Sequence, residues 1–198
     1  MSEKYEKLLT KTYDEAVTFL LNKYGPAKVN YFSEKSYNRF KSGEIKTLTK
    51  GKVTRTTEGL YCHHIDENKI IMISNPKSIK FFDIPYKYQE KERLVYCDLI
   101  EHGILHVLIA IESQDELDLN KLGVGGYLNF IRPELYLWLI EKKTPNLTWQ
   151  KNCYNKIKMN KKDAIKLLAT IDSFLVENYP ISQYEIDSIT TEVLSLYY

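Results

Sequence analysis

Hydrophobic positions near the start of the chain recur every three or four residues. The stripe that this spacing defines contains Tyr5, Leu9, Tyr13, Val17 and Leu20. Such a period predicts an amphipathic helix over residues 3 to about 23. The pair Gly25-Pro26 should end this helix, and a polar, basic stretch continues from there to Gly59.

The middle of the chain changes to alternation and short apolar segments. Residues 60–65 alternate, which predicts a strand. Its two faces would present Leu60, Cys62 and His64 on one side and Tyr61, His63 and Ile65 on the other. Residues 94–97 are apolar and predict a second strand, whereas the aromatic and charged residues 77–93 predict a long loop.

A helix should begin directly after the second predicted strand. Asp98 and Glu101 have the spacing of a capping box, in which each side chain binds the backbone of the other residue. The helix would continue with the apolar residues Leu99, Ile100, Ile104, Leu105, Leu108 and Ile109. For Asp98 and Glu101 we therefore favour a role as helix caps over one as metal ligands.

The last third of the chain predicts helices. Gly123, Gly125 and Gly126 indicate a hinge or turn before it. Pro133 should open a short helix to about residue 141, and Asn160 a longer one to about residue 178. The buried side of the longer helix would contain Ile165, Leu168, Ile171 and Leu175. A last helix, capped by Ser182 with Glu185, should end at Tyr198, so the expected fold class is α+β.

The composition excludes several classes of protein. The chain has 198 residues, of which 43% are hydrophobic, 13% aromatic and 27% charged, unlike disordered, collagenous or coiled-coil sequences. No apolar segment approaches the length of a membrane span, and the charged start predicts no signal peptide. Three cysteines without close spacing argue against a disulfide scaffold. We expect a cytoplasmic protein with no membrane partner.

The net charge of +2 conceals an uneven distribution. Residues 35–57 sum to +6 and residues 142–166 to +7, so the rest of the chain has a charge of −11. Two basic segments on an acidic body can present a positive face to a polyanion. The candidate phosphate-contacting residues in the first segment are Arg39, Lys46, Lys50, Lys52 and Arg55. Any single lysine here is better interpreted as a solvated residue of a surface loop. Phosphate binding is predicted by the basic segment 35–57 as a whole.

All four histidines lie between positions 63 and 106. His102 and His106 are four residues apart on one face of the predicted helix, so both imidazoles can reach one metal ion. His63 and His64 are adjacent on a strand and point in opposite directions. One of the pair could complete a three-imidazole site, and the other could take a proton from water at neutral pH. A metal ion with a nearby base is sufficient for phosphodiester hydrolysis.

Two segments of the chain resemble the HNH, or His-Me finger, endonucleases. They are Cys62-His63-His64-Ile65-Asp66 and the run from Arg93-Leu94-Val95-Tyr96-Cys97-Asp98 to Glu101-His102-x-x-x-His106. The resemblance covers residues 59–111 and implies a ββα-metal core of two strands and a helix. It implies that His63, His102 and His106 hold one divalent ion and that His64 is the general base. Magnesium or manganese would be the functional ion, although zinc or nickel would also bind.

One position departs from the family pattern. The family has an asparagine before the second strand, which helps to orient the base, and this chain has Arg93 there. Asn68 or Asn75 could substitute for it. Arg93 would then have a different part, and we expect Arg93 or Arg55 to stabilise charge on the phosphate, with Arg93 as the catalytic candidate.

The resulting hypothesis is a metal-dependent DNA endonuclease of restriction, phage or mobile-element biology. Residues 1–58 would form an N-terminal helix and DNA-contacting basic arm, residues 59–111 the nuclease core, and residues 112–198 a helical scaffold. Two alternatives stay open. A non-catalytic DNA-binding module could use Cys62, Cys97, His102 and His106 for structural zinc. An HNH-like ribonuclease could stack bases on Phe81, Phe82, Tyr86 and Tyr88. A homodimer is also open.

Overall fold

The computed structural model describes residues 3–113 and 122–197, with side chains to residue 196. The fold is α+β and mostly helical, with a small two-stranded antiparallel sheet. The strands are β1 (Tyr61–His64) and β2 (Leu94–Cys97). The first helices are α1 (Glu3–Leu9), α2 (Tyr13–Tyr24), α3 (Glu34–Lys41), α4 (Pro76–Phe81) and α5 (Leu99–Glu112). The later helices are α6 (Val124–Gly126), α7 (Arg132–Leu135), α8 (Thr148–Ile157), α9 (Lys161–Asn178) and α10 (Gln183–Tyr197).

The two predicted strands and the helix after them are confirmed. β1 pairs with β2 so that His63 lies opposite Val95 and His64 opposite Leu94. Only Asp98 separates the end of β2 from the start of α5, and Asp98 and Glu101 form the predicted capping box. This places the face of β1 that contains His63 beside α5.

The predicted N-terminal helix is in fact two helices. The Thr12 hydroxyl accepts a hydrogen bond from the backbone N–H of Glu15, and the Glu15 carboxylate accepts one from the backbone N–H of Thr12. This capping box begins α2 anew after the turn that follows α1. The apolar stripe is nevertheless buried in full, because both helices pack on α5.

The predicted loop over residues 77–93 is also more regular than its sequence indicates. It contains most of α4 and two short 3₁₀ turns, Tyr86–Gln89 and Lys91–Arg93. Asn75 caps α4 by accepting hydrogen bonds from the N–H groups of Lys77 and Ser78, and Pro76 occupies the first helical position. α3 and α8 were not predicted from the sequence, because their few buried positions lie among charged and polar residues.

The glycine-rich stretch begins a helical segment rather than a hinge. α6 and α7 are joined and extended by π-helical turns at Tyr127–Ile131 and Tyr136–Ile140, so the helix predicted from Pro133 begins earlier. The helix capped by Asn160 is confirmed as α9, although Ile165 is exposed, at 48%. The last helix is confirmed as α10, and its predicted end at Tyr198 lies outside the described residues.

α5 is the central helix of the main hydrophobic core. It packs against α1, α2, α9 and the Tyr127–Ile131 turn, and most of its residues are buried. Over the part of the chain that the structure describes, no helix has both the length and the apolar character needed to cross a membrane.

Candidate metal centre

Three of the four histidines converge between β1 and α5. One potential ligand atom from each of His63, His102 and His106 lies within 4.8 Å of the other two. Their ring centroids are separated by 4.8 Å between His102 and His106, 5.2 Å between His63 and His102, and 5.4 Å between His63 and His106. Among the residues that the structure describes, this is the group whose spacing suits a metal ion.

The tautomer of His63 follows from its hydrogen bonds. The Tyr13 hydroxyl donates its single hydrogen to the carbonyl of Ile65, at 2.8 Å. The same oxygen lies 2.9 Å from His63 Nε2, so Nε2 must be the protonated nitrogen and the donor in that contact. The lone pair is then on His63 Nδ1, which is buried and has no hydrogen-bond partner.

Of the two helix histidines, His106 is held in a similar way. His106 Nδ1 lies 3.2 Å from the carbonyl oxygen of Gly123, to which it donates, and this leaves the lone pair on Nε2. His102 Nδ1 is buried without a hydrogen-bond partner. A histidine that binds a metal through one ring nitrogen usually donates a hydrogen bond through the other, for example to a backbone carbonyl.

Burial keeps these three imidazoles neutral. It lowers the pKa of His63 and of His102 well below the ordinary value, and the neighbouring imidazoles lower both further. Burial also lowers the pKa of His106 to about 4, against the opposing effect of its hydrogen bond to Gly123. Neutral nitrogens with free lone pairs are the form that binds metal. The orphaned Nδ1 atoms therefore fit a divalent ion.

The two cysteines of the zinc alternative do not belong to this group, and neither do Asp98 and Glu101. Cys62 and Cys97 lie outside the three-histidine group and are free thiols. Asp98 and Glu101, besides capping α5, bind other side chains: Asp98 accepts from Tyr5 and Glu101 from Lys23 and Tyr24. The interpretation of Asp98 and Glu101 as caps is thus confirmed.

The fourth histidine lies beside the group but outside it. His64 Nε2 is 3.2 Å from Gln89 Oε1, while Gln89 Nε2 donates to the carbonyl of Ile73 at 3.0 Å. Because Gln89 Oε1 is an acceptor, His64 Nε2 is protonated and Nδ1 has the lone pair. Burial is the main cause that lowers the pKa of His64 to about 4; the hydrogen bond to Gln89 opposes this, and the Lys50 ammonium adds to it.

Gln89, rather than Asn68 or Asn75, is the amide residue that holds the imidazole of His64. Asn75 caps α4, and Asn68 Oδ1 is buried with no hydrogen-bond partner. Gln89 is fully buried on a 3₁₀ turn just before β2. The only feature of the sequence that could have indicated Gln89 is its position in the aromatic segment, four residues before Arg93.

Glu67 is the second residue that the sequence analysis missed. Its Oε2 lies 3.4 Å from His106 Nε2 and 3.7 Å from His63 Nδ1, and its Oε1 lies 3.9 Å from His64 Nδ1. Its side chain is 22% exposed, and burial raises its pKa to about 7. The carboxylate therefore lies between the three-histidine group and the fourth imidazole.

Arg93 is engaged by the turn that follows β1. Its Nε donates to Asp66 Oδ2 at 2.5 Å and its Nη2 donates to Asp66 Oδ1. Burial alone would raise the pKa of Asp66, but the hydrogen bonds from Arg93 and Lys69 lower it overall. Arg93 thus links the end of β1 to the start of β2, and its predicted contact with phosphate stays a prediction.

The candidate DNA-contacting residues divide into two kinds. Arg39 pairs with Glu44 at 2.9 Å, and Arg55 pairs with Glu58 and also donates to a backbone carbonyl. Three exposed lysines of the arm have no ion-pair partner among the described residues; they are Lys46, Lys50 and Lys52.

Lys50 connects the basic arm with the histidines. Its ammonium lies 4.3 Å from the centre of the Tyr31 ring, and that ring lies 4.4 Å from the ring of His64. In addition, α8 packs against the Thr56–Glu58 turn, which brings part of the second basic segment beside the first. A lysine without an ion-pair partner among the described residues is therefore close to the fourth histidine.

A cavity of about 720 Å³ opens beside the three-histidine group. His102, His106 and Glu67 lie in its wall, together with the exposed side chains of Met72 and Phe130. The group is accordingly reachable from outside, although each imidazole is largely buried.

Gly126 brings α6 into contact with His106. A Cβ at Gly126 would lie 2.5 Å from the Cε1 and Nδ1 atoms of the imidazole, whereas a Cβ at Gly125 would meet nothing closer than 3.8 Å. The sequence analysis interpreted both glycines as a turn, but the close approach at position 126 is what requires glycine.

Replacing Gly126 by alanine should therefore destabilise the protein by about 1–3 kcal/mol, because the ring of His106 must move or the helix must shift. Gly125→Ala is the matched control and should be neutral or stabilising by up to about 1 kcal/mol, since alanine is the better helix former. Urea denaturation measures both. Equal effects of the two substitutions would contradict the predicted contact.

Comparison with known proteins finds no match: no family model, curated protein or solved structure matches this chain. Fold and site define an α+β protein in which three histidines could hold a metal ion. Any further conclusion depends on the chemistry of the site.

Proposed function

We propose that this protein is a metal-dependent DNA endonuclease of the HNH, or His-Me finger, type. In this proposal β1, β2 and α5 are a ββα-metal core. The observation that supports it most strongly is the arrangement of the four imidazoles. One potential ligand atom from each of three imidazoles lies within 4.8 Å of the other two, and the fourth imidazole is held beside them by Gln89.

The metal would be held by His63, His102 and His106. When bound, a divalent ion supplies a Lewis acid that stabilises negative charge on a phosphate and on the leaving oxygen. Imidazole donors suit zinc and nickel best, whereas manganese and magnesium prefer oxygen ligands, of which a bound phosphate would supply one. We propose manganese or magnesium as the functional ion.

His64 would act as the general base. Its Nδ1 is unprotonated at neutral pH and faces the carboxylate of Glu67 on the side of the three-histidine group. Gln89 holds the other nitrogen, so the ring cannot turn its protonated side toward the substrate. His64 would take the proton of the attacking water, and Gln89 would act as its positioning residue.

The polyanion would be DNA bound by the basic arm. Lys46, Lys50 and Lys52 are free to contact phosphates, and Lys50 is close enough to His64 to affect its pKa. Phosphate contacts of this kind hold the backbone without reading its sequence. The scissile phosphate would be held between the arm and the histidines.

A plasmid-nicking experiment tests the proposed function. The purified protein with manganese or magnesium should convert supercoiled plasmid to open-circular or linear DNA, and EDTA should prevent this. A single-stranded RNA of similar length is the matched substrate control. Cleavage of RNA alone would favour the ribonuclease alternative. A protein that binds zinc tightly and cleaves neither substrate with any divalent ion would contradict the nuclease proposal.

A further inference from the structure

The carboxylate of Glu67 faces ring nitrogens that should repel it unless a proton or a metal ion lies between them. His63 Nδ1 and His106 Nε2 both have lone pairs rather than hydrogens, because the other nitrogen of each ring is the donor. Glu67 Oε2 is within 3.7 Å of both. Three acceptors this close together are favourable only when a proton or a metal ion lies between them.

We infer that Glu67 supplies a fourth, oxygen ligand to the ion that the three histidines hold. The inference rests on the proposed metal-dependent function and extends it to the composition of the ligand set.

The distances agree with a shared ion better than with hydrogen bonds. At 3.4 and 3.7 Å, the contacts of Oε2 with His106 and His63 exceed the usual N–H···O range. Two ligands that each lie about 2.1 Å from an ion in a tetrahedral site are about 3.4 Å apart. The observed separations are therefore close to those of neighbouring ligands around one ion.

The cations of the neighbourhood are already used by another carboxylate. Arg93 and Lys69 both pair with Asp66. In the part of the chain that the structure describes, the ion-pair contacts of Glu67 are with imidazoles alone. The charge of Glu67 is thus left available for the metal.

Local structure holds Glu67 in this position. The Ile65–Asn68 3₁₀ turn directly follows β1, and Asp66 is anchored within it by Arg93 and Lys69. The turn directs the side chain of residue 67 back toward His63, four residues earlier. A rigid placement of this kind is what a ligand requires.

Glu67→Gln tests the inference because it keeps the shape of the side chain and removes the charge. Its affinity for Mn²⁺, measured by calorimetry, should fall at least about tenfold, since even outer partners of metal ligands contribute that much. The visible absorption spectrum of bound Co²⁺ should also change, because the ion loses an oxygen donor. Glu92→Gln, at an exposed carboxylate before β2, is the matched control and should change neither.

Two results would overturn the inference. One is Mn²⁺ affinity and a Co²⁺ spectrum equal to those of the parent. The other is weaker binding with an unchanged spectrum, since Glu67 would then act through its charge from outside the ligand set. If Glu67→Gln fails to fold, as judged by circular dichroism, Glu67→Asp gives the same test. Its shorter carboxylate should change the Co²⁺ spectrum, and an unchanged spectrum would again overturn the inference.

The outcome for the ligand is separable from that for the nuclease. A parent protein that nicks DNA while Glu67→Gln binds metal normally would remove Glu67 from the ligand set and leave the proposed function intact. A parent protein whose metal site depends on Glu67 but which cleaves no nucleic acid would support the ligand and contradict the nuclease.

Discussion

Replacing His64 by alanine should reduce plasmid nicking by about 100- to 10,000-fold, which is the usual contribution of a positioned general base. The physical reason is the loss of Nδ1, the unprotonated nitrogen that would accept the proton of the attacking water. Metal binding should persist, because His64 lies outside the three-histidine group. Initial nicking rates under saturating Mn²⁺ measure the effect.

His64→Asn is the variant that controls for packing. His64 contacts the Tyr31 ring and Gln89, so alanine leaves a cavity that asparagine partly fills. Both variants should retain the parent's circular dichroism spectrum and its bound ion while losing cleavage. A His64→Ala protein that nicks plasmid as fast as the parent would show that another group is the base.

Replacing His102 or His106 by alanine should reduce cleavage for a different reason, which is weaker binding of the metal ion. At a fixed, subsaturating Mn²⁺ concentration the nicking rate should fall by more than about 100-fold, because the loss of a ligand costs more than the loss of an outer partner. Raising the Mn²⁺ concentration should restore part of the activity. The measurement is the nicking rate as a function of Mn²⁺ concentration for parent and variants.

The contrast with His64 makes this second prediction specific. Extra Mn²⁺ should leave His64→Ala inactive but improve His102→Ala, since only the second defect concerns metal affinity. If extra metal rescued His64→Ala instead, the assigned roles of base and ligand would have to be exchanged. No dependence on metal in any variant would remove the ion from the account.

The elements around the site were predictable because their signals are local. Alternation in residues 60–65 and the capping spacing of Asp98 with Glu101 depend on neighbours within one or two turns. The i, i+4 spacing places His102 and His106 on one face of α5 whatever else surrounds it. The convergence of His102, His106 and one histidine of the adjacent pair therefore followed from element types, whereas the choice of His63 over His64 was implied by the resemblance.

The residues that support the histidines were not predictable in this way. Gln89 is 25 residues from His64, and Tyr13 is 50 residues from His63. Each contact depends on how α2 and the segment before β2 pack on the sheet, which no sequence period reveals. Glu67 was close in sequence but lies in a turn, where only the observed backbone directs a side chain.

The N-terminal helix shows a different limit of sequence-based prediction: its buried face was predicted, but its division into α1 and α2 was not. The apolar stripe is real and buried, but the capping box of Thr12 and Glu15 interrupts the helix within it. A hydrophobic period reports which face is buried and is insensitive to a break that preserves that face. Arg93 is similar, because its position was evident but its partner, Asp66, was not.

The number of metal ions bound per chain tests the central claim most directly. The claim is that His63, His102 and His106 bind one divalent ion. Equilibrium dialysis against Mn²⁺, with the metal content measured by mass spectrometry, should give one ion per parent chain and essentially none for His102→Ala at the same free concentration. A folded parent that binds no ion, or a His102→Ala variant that binds it equally well, would contradict the account.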